Sequence, residues 1–193
     1  MMRKRFAKSV STEEEGAFIP GFGGEKQRPG EAGYFPMFVD LWKKPVLVVG
    51  AGRIAGRRIR TLLQFGACVT VIAPEISDEI QKMSESSEGA RIKLVHRSCE
   101  ETDGKGMYLV LAATDDPMLN ARICCQAKEM GALVNNASDR SQCDFYFPGI
   151  IKEEGTVIGF NAGGTDHRWA RKLRQKVEAF LVEEGILKKD LKK

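Results

Sequence analysis

"VLVVGAGRIAGRRIRTLL", Val46 to Leu63, joins a β-branched run to a helix-spaced run through a Gly-Ala-Gly turn. The opening run, ended by Gly50, has the composition of a strand buried on both faces. Ile54, Ala55, Ile59, Leu62 and Leu63 then recur at helical spacing, and Gly66 stands where a C-cap falls. Between the two lies Gly50-x-Gly52-x-x-Ala55. In such a pattern the first glycine permits a tight turn and the second lets the backbone approach a pyrophosphate. The alanine lets helix and strand pack closely. Arg53 and Ile54 open the helix, whose free N–H groups and positive dipole end favour phosphate. A glycine corner without a ligand has the same residues, so the motif alone is weak. Its place between a strand and a helix makes it a dinucleotide signature.

The same rhythm continues outward. "ACVTVIA" reads as a second strand, Ile76, Ile80 and Met83 mark a short helix, and "RIKLVHR" and "MYLVLAAT" are further strands. "DDPMLNARICCQAKEMG" offers Asp116 as N-cap, Pro117 at the first helical position and Gly131 as the stop. "ALVNNA" is a fifth strand. Strands alternating with helices predict a Rossmann-type doubly wound parallel sheet, an α/β fold, over residues 34–144. After Cys143 the pattern changes. "DFYFPGII" and "GTVIGFNAGG" read as two strands joined by "KEEG", followed by a helix from about Asp166 to Glu184. Residues 145–193 are too few for an independent core. They are expected to form a small α+β dimerisation region, with a C-terminal helix, that completes itself against a second subunit.

Residues 1–33 differ from the rest. "GAFIPGFGGEKQRPGEAG" is rich in Gly and Pro and lacks periodicity, which predicts a flexible extension. The alternative is a segment that docks Phe18, Ile19 and Phe22 on a partner subunit.

Composition bounds the function classes. The chain has 193 residues, 42% of them hydrophobic, enough for a proper core. No apolar run approaches the roughly 20 residues of a membrane span, and no apolar stretch follows the charged N-terminus as in a secretory signal. Five cysteines without a Cys-x-x-Cys pair read as reduced thiols in a cytoplasmic protein, with no metal site. A net charge of +4 is too mild to indicate nucleic acid.

The second half of the dinucleotide fingerprint is altered. An acid usually ends the second strand, about 20 residues after the glycines, and holds the ribose. Here Ala73 is followed by Pro74 and Glu75, so the Glu75 side chain or the backbone at Pro74 and Glu75 takes that role. No Arg stands there to favour a 2′-phosphate, so NAD is expected rather than NADP.

"YFPMFVDLWKKPVLVVGAGRIAGRRIRTLL", "VIAPE", "LAATDDPMLN", "LVNNASDRSQCDFYFPGII" and "NAGG" followed by "ARKLR" together resemble precorrin-2 dehydrogenase, the module that also forms the first part of siroheme synthase. The resemblance runs from about Tyr34 to Leu181, with the segments in the family's order. It implies an NAD-dependent oxidation of precorrin-2 to sirohydrochlorin, on the way to sirohaem. It also implies a homodimer, with the tetrapyrrole in a cleft between the strand ends and the dimerisation region. By position, Gly50, Gly52, Arg53, Ile54, Ala55, Pro74, Glu75 and Thr114 would line the cofactor.

Two departures from the family pattern bear on the chemistry. Many members have an Asp three residues after the Asn of "VN"; here that position is Ser138, with Asp139 next. A serine is no base unless another group activates it. Oxidation need not suffer, because the macrocycle's own electrons help expel the hydride and placement is the main requirement. Chelation of iron is expected to be weak or absent. Asp116 and Asp139 are the other candidate catalytic residues, and Asp116 has the competing role of helix cap. The second departure is "TDHRWARKLR" where members often have a Ser-Pro pair. Arg168, Arg171, Lys172 and Gln175 share a helical face that suits a substrate rich in carboxylates, or is simply a solvated face. His167 and His96, the latter placed on the third strand, read as structural. The rival function is a non-catalytic NAD-sensing domain, which has an acid at the end of the second strand and lacks "CDFYFP".

Overall fold

The computed structural model describes residues 35–162 and 167–188. The expected N-terminal extension, and the Asp166 start of the last helix, lie outside them.

Five parallel strands form the sheet: β1 (Pro45–Val49), β2 (Cys68–Ile72), β3 (Ile92–Val95), β4 (Leu109–Ala112) and β5 (Leu133–Asn136), in the order β3-β2-β1-β4-β5. β1 lies between two layers. Val46 and Val48 enter one core, while Leu47 and Val49 enter the other. That is why its sequence is a continuous apolar run rather than an alternating one. Helix α1 (Arg53–Gln64) lays Ala55, Ile59, Leu62 and Leu63 on the first face, joined by Ile80 of α2 (Asp78–Glu85). Helix α3 (Pro117–Glu129) covers the second face with Ile123, Cys124 and Ala127. Helices on both faces make the sheet doubly wound, as expected.

The end of α1 is shaped by Trp42. Gly66 has φ +77°, and a β-carbon there would stand 2.4 Å from Trp42 Cε3. Glycine meets both demands at once.

The link from β3 to β4 carries no α-helix. A 3-10 turn at Glu101–Gly104 replaces it, held by a capping box between Glu100 and Asp103. Arg97 grips the Asp103 carboxylate with two hydrogen bonds of 2.7 Å each. This fork holds Asp103 below its ordinary value of 3.8, mainly through the Arg97 hydrogen bonds. His96 lies one residue beyond β3 and is exposed, so the expected strand position is corrected.

After β5 the chain turns back along it. The Asp144 backbone N–H donates to the Val134 carbonyl (2.9 Å), and the Val134 N–H donates to Asp144 Oδ2 (3.0 Å). Phe145 and Phe147 pack on the first core. The expected strand at "DFYFPGII" therefore begins only at Gly149. β6 (Gly149–Glu153) and β7 (Thr156–Phe160) form an antiparallel hairpin, followed by α4 (His167–Glu183).

Candidate dinucleotide site at the strand ends

The sheet order reverses between β1 and β4, and in open α/β sheets the ligand crevice opens outside the C-terminal strand ends at that point. Four segments meet there: the Gly50–Gly52 turn, Ala73–Glu75, Ala113–Asp116 and Ala137–Gln142.

The turn is pinned from both sides. The Gly50 N–H donates to the Ile72 carbonyl (2.9 Å), and the Ala113 N–H donates to the Val49 carbonyl (2.8 Å). Gly50 has φ +98°, and a β-carbon there would lie 2.4 Å from the Ala113 oxygen. Gly52 is different. It is the N-cap of α1 in extended backbone, and a β-carbon there would meet nothing within 4 Å. The protein itself gives no steric reason for glycine at 52, and the space beside it is open. No side chain caps α1, and its first turn holds no acid. The first N–H groups, at Arg53, Ile54 and Ala55, thus face the space before Gly52 with no intrahelical partner. An anion there meets the favourable end of the dipole. Ala55 is fully buried beneath the turn. These residues fit a dinucleotide pyrophosphate.

Pro74 and Glu75 are exposed at the end of β2, and the Glu75 carboxylate makes no hydrogen bond or ion pair among the described residues. Thr114 behaves otherwise. Its N–H donates to Asn120 Oδ1 (3.0 Å), its hydroxyl donates to the same oxygen (2.7 Å), and its carbonyl accepts from Asn120 Nδ2 (3.0 Å). Thr114 borders the crevice, but its polar atoms turn inward.

The three candidate acids and nucleophiles separate clearly. Asp116 caps α3, accepting from the N–H groups of Met118 (2.8 Å) and Leu119 (3.1 Å). Asp139 caps the 3-10 turn at Arg140–Gln142, accepting from the Ser141 N–H (2.8 Å) and hydroxyl (2.7 Å) and from Gln142 Nε2 (3.0 Å). These bonds, the Ser141 hydroxyl foremost, hold the Asp139 carboxyl below the usual range, which makes it a weak base. Ser138 is exposed at the crevice. Its hydroxyl accepts from Asn120 Nδ2 (3.0 Å) and donates to Asn136 Oδ1 (2.8 Å). Sequence reasoning missed Asn120 and Asn136. A buried asparagine has no periodicity signal of its own. The usable hint was a polar residue on the core-facing side of α3.

Among the described residues no three His, Cys, Asp or Glu side chains gather as a metal site. Arg168, Arg171, Lys172 and Gln175 are exposed on α4. The hairpin beneath α4 lies away from the glycine turn. Lys152 Nζ donates to the Gln64 carbonyl at the far end of α1 and sits 4.9 Å from the Phe65 ring centroid. The 12 residues of α1 put about 18 Å between that contact and Gly52. A groove of about 830 Å³ opens at the same far edge, lined by Leu109, Leu133 and Phe147 among others. Within one chain, therefore, the strand ends and the hairpin region do not face each other across a cleft.

Residues 37–149 match a family described as putative NAD(P)-binding. A probable multifunctional siroheme biosynthesis protein HemA of Ruminiclostridium josui is 38% identical over 149 residues, which are 75% of this chain and 28% of that protein. A siroheme synthase of Actinobacillus pleuropneumoniae is 38% identical over 148 residues, 77% of this chain and 30% of its own length. The chain spans less than a third of the curated relatives it matches. Among solved structures, SirC, a precorrin-2 dehydrogenase, superposes with a TM-score of 0.66 at 25% identity, covering 79% of this chain and 74% of that one.

Proposed function

The chain belongs to the family of putative NAD(P)-binding domains, and from that premise we propose that it oxidises precorrin-2 to sirohydrochlorin, a step towards sirohaem. The observation that carries the reading is the open space before Gly52 at the uncapped N-terminus of α1, in a chain whose relatives are named for sirohaem synthesis. When bound there, NAD supplies the hydride acceptor. Gly52 and the N–H groups of Arg53, Ile54 and Ala55 would hold the pyrophosphate, and Glu75, exposed at the end of β2, would be the carboxylate for the ribose hydroxyls. A carboxylate at that point favours hydroxyls over a 2′-phosphate. Arg97, at the end of the neighbouring strand, is spent on Asp103 and does not favour NADP.

The chain's own work on the substrate is positioning. Of the three candidate catalytic residues, Asp116 and Asp139 serve as caps, which leaves the Ser138 hydroxyl exposed at the crevice. Such a site suits hydride loss from a macrocycle that assists its own oxidation. It does not suit iron insertion, which needs a base to take the pyrrole protons.

The working unit is a homodimer, with residues 34–144 as the dinucleotide domain and 145–193 as the dimerisation region. Support comes from the hairpin's place at the far edge of the sheet, from which a second copy would bring its basic α4 face towards the glycine turn. Exposed Phe35, Met37, Phe38, Leu173 and Phe180 supply an apolar surface for that contact. All five cysteines are free, which fits the reducing cytoplasm. No helix among the described residues is long and apolar enough to cross a membrane. The experiment that tests the function is incubation with precorrin-2 and NAD, following NADH and the sirohydrochlorin spectrum.

A further inference from the structure

Asn120 is fully buried and sits on α3 between two loops of the crevice. Its orientation is set by main-chain groups, because Oδ1 accepts from the Thr114 N–H and Nδ2 donates to the Thr114 carbonyl. Nδ2 is therefore the atom that points at Ser138 Oγ, at 3.0 Å, and it can only donate.

Asn136 is fixed in the same manner. Its Oδ1 accepts from the Ser138 N–H (2.9 Å) and the Asp139 N–H (3.2 Å), while its Nδ2 donates to Gln142 Oε1 (3.1 Å). The atom it offers to Ser138 Oγ, at 2.8 Å, is thus an acceptor. A serine hydroxyl has one proton and two lone pairs. Asn120 takes one lone pair and Asn136 takes the proton. One lone pair is left, on an exposed residue at the crevice.

Resting on the dehydrogenase reading, we propose that Asn120 is a positioning residue: with Asn136 it locks the Ser138 hydroxyl with its proton turned inward, so that Ser138 presents only an acceptor to an N–H group of the tetrapyrrole. The family position often held by an Asp then keeps a hydrogen-bond acceptor without keeping a base. The bonds from Asn120 to Thr114 tie this acceptor to the loop that packs against Gly50, so the substrate contact and the dinucleotide turn share one rigid frame.

The test compares wild type, Asn120→Ala, Ser138→Ala and the double variant. NAD affinity is measured by calorimetry on the protein alone, and kcat and KM for precorrin-2 at saturating NAD. Hydrogen exchange is followed over residues 136–142. Each single variant should lower kcat/KM for precorrin-2 by roughly tenfold, the effect of one hydrogen bond, and Ser138→Ala, which leaves the Asn120–Thr114 bonds intact, should keep wild-type NAD affinity. Asn120→Ala should speed exchange over 136–142. The double variant should be no slower than Asn120→Ala, because the two act through one contact. Ser138→Thr, which keeps a hydroxyl, should retain most of the activity. Additive losses, or a folded Asn120→Ala protein with wild-type kinetics, overturn the proposal. If Asn120→Ala does not fold, the exposed Ser138→Ala decides alone, and unchanged kinetics there overturn it as well. A wild type that binds NAD yet leaves precorrin-2 unoxidised defeats the functional reading instead.

Discussion

Gly50 rests against Ala113 so closely that a β-carbon on residue 50 would stand 2.4 Å from the Ala113 carbonyl oxygen. Two residues later, a β-carbon on Gly52 would meet nothing within 4 Å. The fold thus demands glycine at 50, while at 52 it leaves open space before the N-terminus of α1.

Substitution should separate them. Gly50→Ala meets both a positive φ and the Ala113 carbonyl, and should cost stability by at least about 1–3 kcal/mol in thermal or urea unfolding. Gly52→Asp should keep the circular dichroism spectrum and melting behaviour of the parent while losing NAD binding, since a carboxylate fills the pyrophosphate position. Unchanged NAD affinity in that variant would show the turn to be structural only.

The Arg97–Asp103 fork predicts a pH dependence of stability. Asp103 is held below its ordinary value of 3.8, so the folded state binds its proton less readily than the unfolded chain does. The stabilisation is complete above the unfolded value and is lost as pH falls through the folded one. Asp103→Ala removes it, and with it the Glu100–Asp103 box, for about 1 kcal/mol at neutral pH. Melting curves of both proteins should converge as the pH is taken below 3.8. Parallel curves throughout that range would speak against the fork.

Most of the sheet was legible because burial on both faces demands uninterrupted apolar runs, and Val46–Val49 and Leu109–Ala112 are such runs. The motif's glycines were legible for the same chemical reason that they are needed. "DFYF" reads as strand because Phe145, Tyr146 and Phe147 have high strand propensity. In the fold, Asp144 instead binds Val134 and the Phe145 carbonyl takes the Asn135 amide. The Asn120–Ser138 contact joins residues 18 positions apart across separate loops, and the Asn136–Ser138 contact turns on amide orientation; neither shows in a linear pattern. The hairpin's place at the far end of α1 rests on long-range contacts such as Lys152 with Gln64, which no local periodicity encodes.

Dimerisation should depend on the residues after Cys143. The full chain should sediment as a dimer, and Phe180→Glu, at a side chain 56% exposed on α4, should weaken association and activity together. Truncation at Asp144 removes Phe145 and Phe147 from the core as well, so the remainder should be poorly soluble or monomeric. A well-behaved dimer of residues 34–144 would contradict this assignment.

Iron insertion should be weak or absent. Sirohydrochlorin and Fe²⁺ supplied anaerobically should lose the free macrocycle's spectrum no faster than without protein, because Asp139 is committed to Ser141 and Gln142. Clear turnover that disappears in Asp139→Ala would show that the carboxylate leaves its cap to act as the base.

The central claim is tested most directly by mixing the full chain with precorrin-2 and NAD and recording the absorbance spectrum over time. NADH and sirohydrochlorin should appear in equal amounts, and Gly52→Asp should form neither. A folded wild-type protein that binds NAD and yields no sirohydrochlorin would contradict the account.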